Sequence, residues 1–169
     1  ATYDVIEPDA TTIFGDAMVT LASSEHFVIR ASYDDTALLE AHQSPGAQLS
    51  ETTQAEILGR LEEVWAGLID ELGFAPPYVN AETRYKTNAF ITDYGYLSGG
   101  TFSEPGWPEG PHPQLQMQYD ATGGYHGMAH EFTHALQNMA LSADWFDYGG
   151  WFSESHAEFM ALRFLPDGP

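Results

Sequence analysis

The densest chemistry in this sequence sits in five consecutive residues, His130-Glu131-Phe132-Thr133-His134. Residues four apart on an α-helix lie one turn apart on the same face. On a helix, both imidazoles can therefore reach one metal ion at about 2.0–2.1 Å, with Glu131 beside them. The surrounding pattern predicts that helix: Met128, Phe132, Ala135, Leu136 and Met139 recur at helical spacing within Tyr125–Leu141. A surface helix with two solvated histidines is the alternative. A third ligand has to come from elsewhere, and Glu154, twenty residues after His134, is the candidate. It lies in Trp151-Phe152-Ser153-Glu154-Ser155-His156-Ala157-Glu158, within a second helical pattern, Trp151–Leu165. For Glu154 and Glu158 the alternative is an exposed acidic helix face.

With these residues in place, the chain resembles the gluzincins, the thermolysin-like clan of zinc peptidases. In that clan an HExxH helix is followed by a second helix supplying a Glu, and the interval from His134 to Glu154 is that of thermolysin. A His six residues past His134 would mark the metzincins, but that position is Ala140. The clan also places an acid four residues after the ligand Glu. Here it is Glu158, where thermolysin-like enzymes usually carry Asp. Trp151, Glu154 and Ala157 are similar to a Trp-x-x-Glu-x-x-Ala element of small secreted bacterial proteins.

The resemblance implies a role for each residue. His130, His134 and Glu154 would bind Zn²⁺ and leave a fourth position for water. Glu131 would be the general base of peptide-bond hydrolysis. Glu158 would accept a hydrogen bond from the free ring nitrogen of a ligand His, His130 first. Gluzincins also use a Tyr or His to stabilise the developing oxyanion. Tyr148, read as lying in the loop Asp144–Gly150, and His156 are the candidates, ahead of Tyr125 and His126. A packed aromatic or an internally satisfied His is the alternative for each.

The elements that must position these groups follow from patterning. Ser24–Ser32 alternates around Phe27, Ile29 and Ala31 and predicts a strand, whereas residues 1–24 show little periodicity. Thr36–His42 suggests a short helix, ended by Ser44-Pro45-Gly46. Thr53–Leu72 is a clear amphipathic helix, with capping residues at Ser50 to Thr53 and Gly73 where it stops. Arg84–Tyr94 and Tyr96–Phe102 read as strands, and the proline-rich Ser103–Pro113 as a loop. In Gln114–Asp120, glutamines alternate with Leu115, Met117 and Tyr119, which predicts a half-exposed strand at a sheet edge. In zincins such an edge precedes the active-site helix and can pair with extended substrate.

Composition limits the partners. The 169 residues include five Lys/Arg against 25 Asp/Glu, a net charge of −20, which disfavours nucleic acid and anionic membrane surfaces. No apolar run approaches the ~18 residues of a membrane span. With 43 % hydrophobic and 14 % aromatic residues, the chain can bury a core. The absence of cysteine removes disulfides, thiolate metal sites and cysteine nucleophiles. Sparse Lys with abundant acid suits a secreted or extracellular setting as well as an ordinary acidic surface. Asp144 and Asp147 could bind Ca²⁺, although no EF-hand spacing is present.

The expected architecture is α+β and single-domain over residues 1–169: a zincin-like mixed sheet with a backing helix over 1–120, then the metal-site helices over 121–165. Leu165-Pro166-Asp167-Gly168-Pro169, shortly after Glu158, reads as the start of a linker, which favours a module of a longer protein over a minimal gluzincin with an open cleft or one that keeps the metal site without efficient peptidase activity. The expected substrate is a peptide, protein or glycoprotein. A non-catalytic binding module using Trp107, Trp145 and Trp151, or a zinc hydrolase of a non-peptide bond, are the competing functions.

Overall fold

The computed structural model describes residues 3, 12–13, 16–32, 49–77, 84–92, 98–102, 112–118, 124–140 and 146–164. In chain order the elements are β1 (Thr12–Ile13), β2 (Asp16–Ser23), β3 (Phe27–Ser32), α1 (Glu51–Trp65), β4 (Thr87–Thr92), β5 (Ser98–Phe102), β6 (His112–Gln118), α2 (Gly124–Ala140) and α3 (Phe146–Ala161). A π-helical stretch, Ala66–Glu71, prolongs α1, and a 3₁₀ turn, Leu162–Phe164, follows α3. The architecture is α+β. No helix among the described residues is long and apolar enough to cross a membrane.

The sheet is mixed, in the order β1-β2-β3-β4-β6-β5. β3, β4 and β6 run parallel, whereas β2 and β5 are antiparallel to their neighbours. Parallel pairing needs a crossover, and α1 supplies it between β3 and β4. Ser50 caps α1 by accepting the Thr53 N–H at 3.1 Å. Gly73, at φ 75°, ends the helical run in the left-handed conformation that glycine adopts without strain.

Alternation along the strands divides the sheet into two faces. Phe27, Ile29, Ala31, Ala89, Ile91, Leu115 and Met117 form one apolar cluster with Ile57, Leu61, Val64 and Leu68 of α1 and its extension and with Met128, Ala129, Phe132, Ala135 and Leu136 of α2. Each large side chain fully buried there is worth about 1.5–3 kcal/mol, so these contacts dominate the placement of α2. Aromatic packing fixes it further: Phe132 stacks on Trp65 at 5.7 Å and meets the edge of Phe27 at 5.3 Å. His26 in turn lies flat on Trp65 at 3.9 Å.

Several expectations change. Residues 1–24 contain β1 and β2; pairing with β3, not local pattern, makes β2 a strand. Gln114–Asp120 is not an edge, because β6 starts at His112 and lies between β4 and β5. Gln116 is 7 % exposed and Gln114 is half-buried, so the glutamine positions described here do not form a wet face. Pro113, assigned to the loop, is in β6. It pairs only with Thr101 of β5, since the β4 register begins at Gln114, so its missing N–H breaks no ladder there. The loop predicted at Asp144–Gly150 is helical from Phe146, because packing of α3 on α2 overrides the Gly149-Gly150 pair. The helix proposed at Thr36–His42 lies outside the described residues.

Glu62 ties α1 to the loop before β3. Its carboxylate accepts from the His26 backbone N–H at 2.9 Å and lies 2.7 Å from His26 Nδ1. Burial alone would raise its pKa, but the hydrogen bonds from the His26 ring and backbone overcome that and hold the carboxyl below the usual range. A depressed folded-state pKa stabilises above the unfolded value, near 4.3, and that stability is lost as pH falls through the folded value. Glu62→Gln should therefore lower stability by about 1 kcal/mol at pH 7. Thermal melts of the two proteins should converge as pH falls below about 4; a gap independent of pH would contradict this linkage.

Candidate metal centre

Helix α2 has its apolar face in the core, which turns His126, His130 and His134 toward the opposite side at one-turn intervals. Helix α3 covers that side. Ala157 and Ala161 of α3 are fully buried, and their small side chains let the helices approach. Glu154 and Glu158 flank this contact on α3 and reach the histidine row.

Three ligand-type side chains converge there. His130 Nε2 and His134 Nε2 are 3.1 Å apart. Glu154 places Oε2 3.2 Å from His130 Nε2 and Oε1 3.3 Å from His134 Nε2. One ligand atom from each of the three residues lies within 4.8 Å of the others. Two imidazole nitrogens and a carboxylate oxygen form a donor set that suits zinc and leaves a coordination position open. The partially exposed Glu154 and the half-buried histidines keep the cluster accessible from solvent.

The remaining ring nitrogens face acceptors. Glu158 spans two histidines, with Oε2 3.3 Å from His130 Nδ1 and Oε1 3.0 Å from His126 Nε2. On the other ring, His134 Nδ1 lies 2.9 Å from Gln137 Oε1 and 3.3 Å from Ser153 Oγ. Sequence spacing singled out neither Gln137 nor Ser153, and His126 only as a weak oxyanion candidate. Gln137 was visible as a polar residue one turn past His134; the contact of Ser153 depends on how α3 packs.

Glu131 points off the histidine row toward β5. Burial pushes its carboxyl above the usual range; the His130 and His134 imidazoles and the Gly99 N–H oppose that rise, and Glu154 adds to it. Strand β5 presses on this turn of α2. A Cβ built on Gly99 would lie 1.7 Å from the Glu131 carbonyl oxygen, so only glycine fits.

The two residues considered for oxyanion stabilisation are differently situated. His156 Nδ1 lies 2.9 Å from Gln137 Nε2, and its ring stacks with Phe152 and Phe74. It is thus reached through Gln137 on the Nδ1 side of His134. Tyr148 lies in the first turn of α3, and its side chain is outside the described residues, as is that of Asp147. Asp144, Trp107 and Trp145 also fall outside them, whereas Trp151 is 76 % exposed on α3.

A family model matches residues 7–169, almost the whole chain, and its description is family of unknown function, DUF6055. The chain belongs to DUF6055. No curated protein and no solved structure matches it. The chemistry of this family member therefore rests on its own side chains.

Two outcomes test the geometry. Gly99→Ala should cost about 2 kcal/mol or more, because backbone rather than a flexible side chain blocks the new methyl. Gly100→Ala, whose nearest neighbour is the Asn138 amide at 3.4 Å, should be nearly silent in the same melts. Equal melting temperatures for Gly99→Ala and wild type would refute the close approach. Zinc should raise the melting temperature of wild type in proportion to its affinity and leave that of Glu154→Ala nearly unchanged, with elemental analysis giving about one zinc per wild-type chain.

Proposed function

We propose that this protein is a zinc-dependent peptidase of gluzincin type, with a zincin-like catalytic fold, acting on peptide bonds in protein or glycoprotein substrates. The observation that carries the proposal is the convergence of His130 Nε2, His134 Nε2 and the Glu154 carboxylate, with Glu131 on the same turn of α2 as the two histidines. His130 and His134 would bind zinc through Nε2 and Glu154 through its carboxylate, while Glu158 holds the His130 ring by its Nδ1 side. Bound zinc supplies Lewis acidity, which polarises the scissile carbonyl and makes water a nucleophile at neutral pH.

The chain's own residues do the rest. Glu131 takes the proton from the attacking water and returns it to the departing amine. Its burial against β5 keeps the carboxylate poorly solvated and therefore more basic than an exposed one. Strand β5 ends the sheet order and lies over the Glu131 turn, so its outer backbone edge is the one suited to hold an extended peptide by strand addition. That role was expected of Gln114–Asp120 and passes to β5. Secretion suits an acidic, cysteine-free hydrolase and forms part of the proposal.

Glu131→Gln should retain zinc and lose about 10²–10⁴-fold in turnover of a quenched-fluorescence peptide library and a denatured protein. Turnover equal to wild type would remove Glu131 from the mechanism. Zinc binding without turnover of any protein, glycoprotein or glycan substrate would instead favour a binding module.

A further inference from the structure

We infer that Gln137 is a positioning residue of the metal site: it sets the tautomer of His134 so that Nε2 presents its lone pair to the cluster. The purpose of this device rests on the zinc reading above. The tautomer itself follows from hydrogen-bonding chemistry alone.

A carboxamide has one donating end and one accepting end, and its neighbours decide which points where. Gln137 Nε2 lies 3.3 Å from the Ser153 carbonyl oxygen, which can only accept. The amide nitrogen therefore faces α3. The same nitrogen is 2.9 Å from His156 Nδ1, which accepts as well. Phe74 and Phe152, stacked on the His156 ring, hold that acceptor in place. Gln137 Oε1 is left to face His134 Nδ1 at 2.9 Å and the Ser153 hydroxyl, which donates to it at 2.6 Å.

An amide oxygen accepts and never donates, so His134 Nδ1 carries the proton. In a neutral imidazole the other nitrogen then holds the lone pair. That nitrogen is Nε2, the atom 3.1 Å from His130 Nε2 and 3.3 Å from Glu154. Gln137 thus plays for His134 the part that Glu158 plays for His130. There is one difference: its polarity is dictated from α3, through Ser153 and His156. The local contact within α2 becomes specific only when α3 docks.

The test is long-range ¹H–¹⁵N spectroscopy of the imidazole rings in metal-free protein, joined to zinc affinity by chelator competition. Wild-type His134 should be the Nδ1–H tautomer. Gln137→Met keeps the length and removes the acceptor; it should populate Nε2–H and weaken zinc binding about 10–100-fold. Gln137→Glu keeps an acceptor facing His134 Nδ1, while losing the donor toward Ser153 and His156, and should retain the Nδ1–H tautomer. An Nε2–H tautomer in wild type overturns the inference, as does a Met variant with unchanged tautomer and affinity. The wild-type spectrum decides the matter even if a variant fails to fold. Absence of zinc binding by wild type would end the metal-site reading while the tautomer measurement still judges Gln137.

Discussion

Helix α2 is packed on three sides, and the arrangement of the other elements follows from that packing. Its apolar face is sunk in the core through Phe132 and its neighbours. One flank meets β5 so closely that Gly99 cannot carry a side chain. The remaining side is covered by α3 at the small residues Ala157 and Ala161. A helix held on three sides has little freedom to rotate or slide. A rotation that moved the histidines away from Glu154 would also withdraw Phe132 from Trp65 and Phe27, and losing a core aromatic costs about 3–5 kcal/mol.

That comparison of magnitudes divides the work between the two kinds of interaction. Apolar burial places the helices. Hydrogen bonds, each worth about 0.5–1.5 kcal/mol net, could not move a helix, but they suffice to choose among ring rotamers and tautomers once the helices are placed. The polar network of Glu158, Gln137, Ser153 and His156 acts at that level. It runs between α2 and α3, so orientation of the histidine rings is coupled to docking of the last helix.

Electrostatics at the site differs from that of the surface. The chain carries a net charge of −20, yet the acidic groups at the cluster are individually engaged: Glu154 with two imidazoles, Glu158 with two, Glu131 with the Gly99 N–H. The same environment treats them differently. Glu131 is withdrawn from water beneath β5, whereas Glu154 and Glu158 stay largely solvated on α3. A half-buried carboxylate beside two exposed ones gives one acidic surface groups of different basicity.

The parts of the site that depend on helical periodicity are written in the local sequence. The four-residue step from His130 to His134, the apolar stripe through Phe132, and the step from Glu154 to Glu158 are local, and 3.6 residues per turn makes them legible. The helix at Thr53–Leu72 is legible for the same reason, and the strand at Phe27 by the two-residue alternation of a pleated chain. What needed the tertiary structure is everything that depends on which element lies beside which. Alternating glutamines read the same whether their strand lies at an edge or between two neighbours, so the pattern of β6 suggests an edge where the sheet order has β5. A pair of glycines reads as a break unless a neighbouring helix stabilises the turn, so local sequence hides the start of α3. Gln137 carries no mark of its role, because an amide's polarity is decided by the partners that docking brings to it. Local spacing set which side chains could share a face; only long-range packing decided what that face would meet.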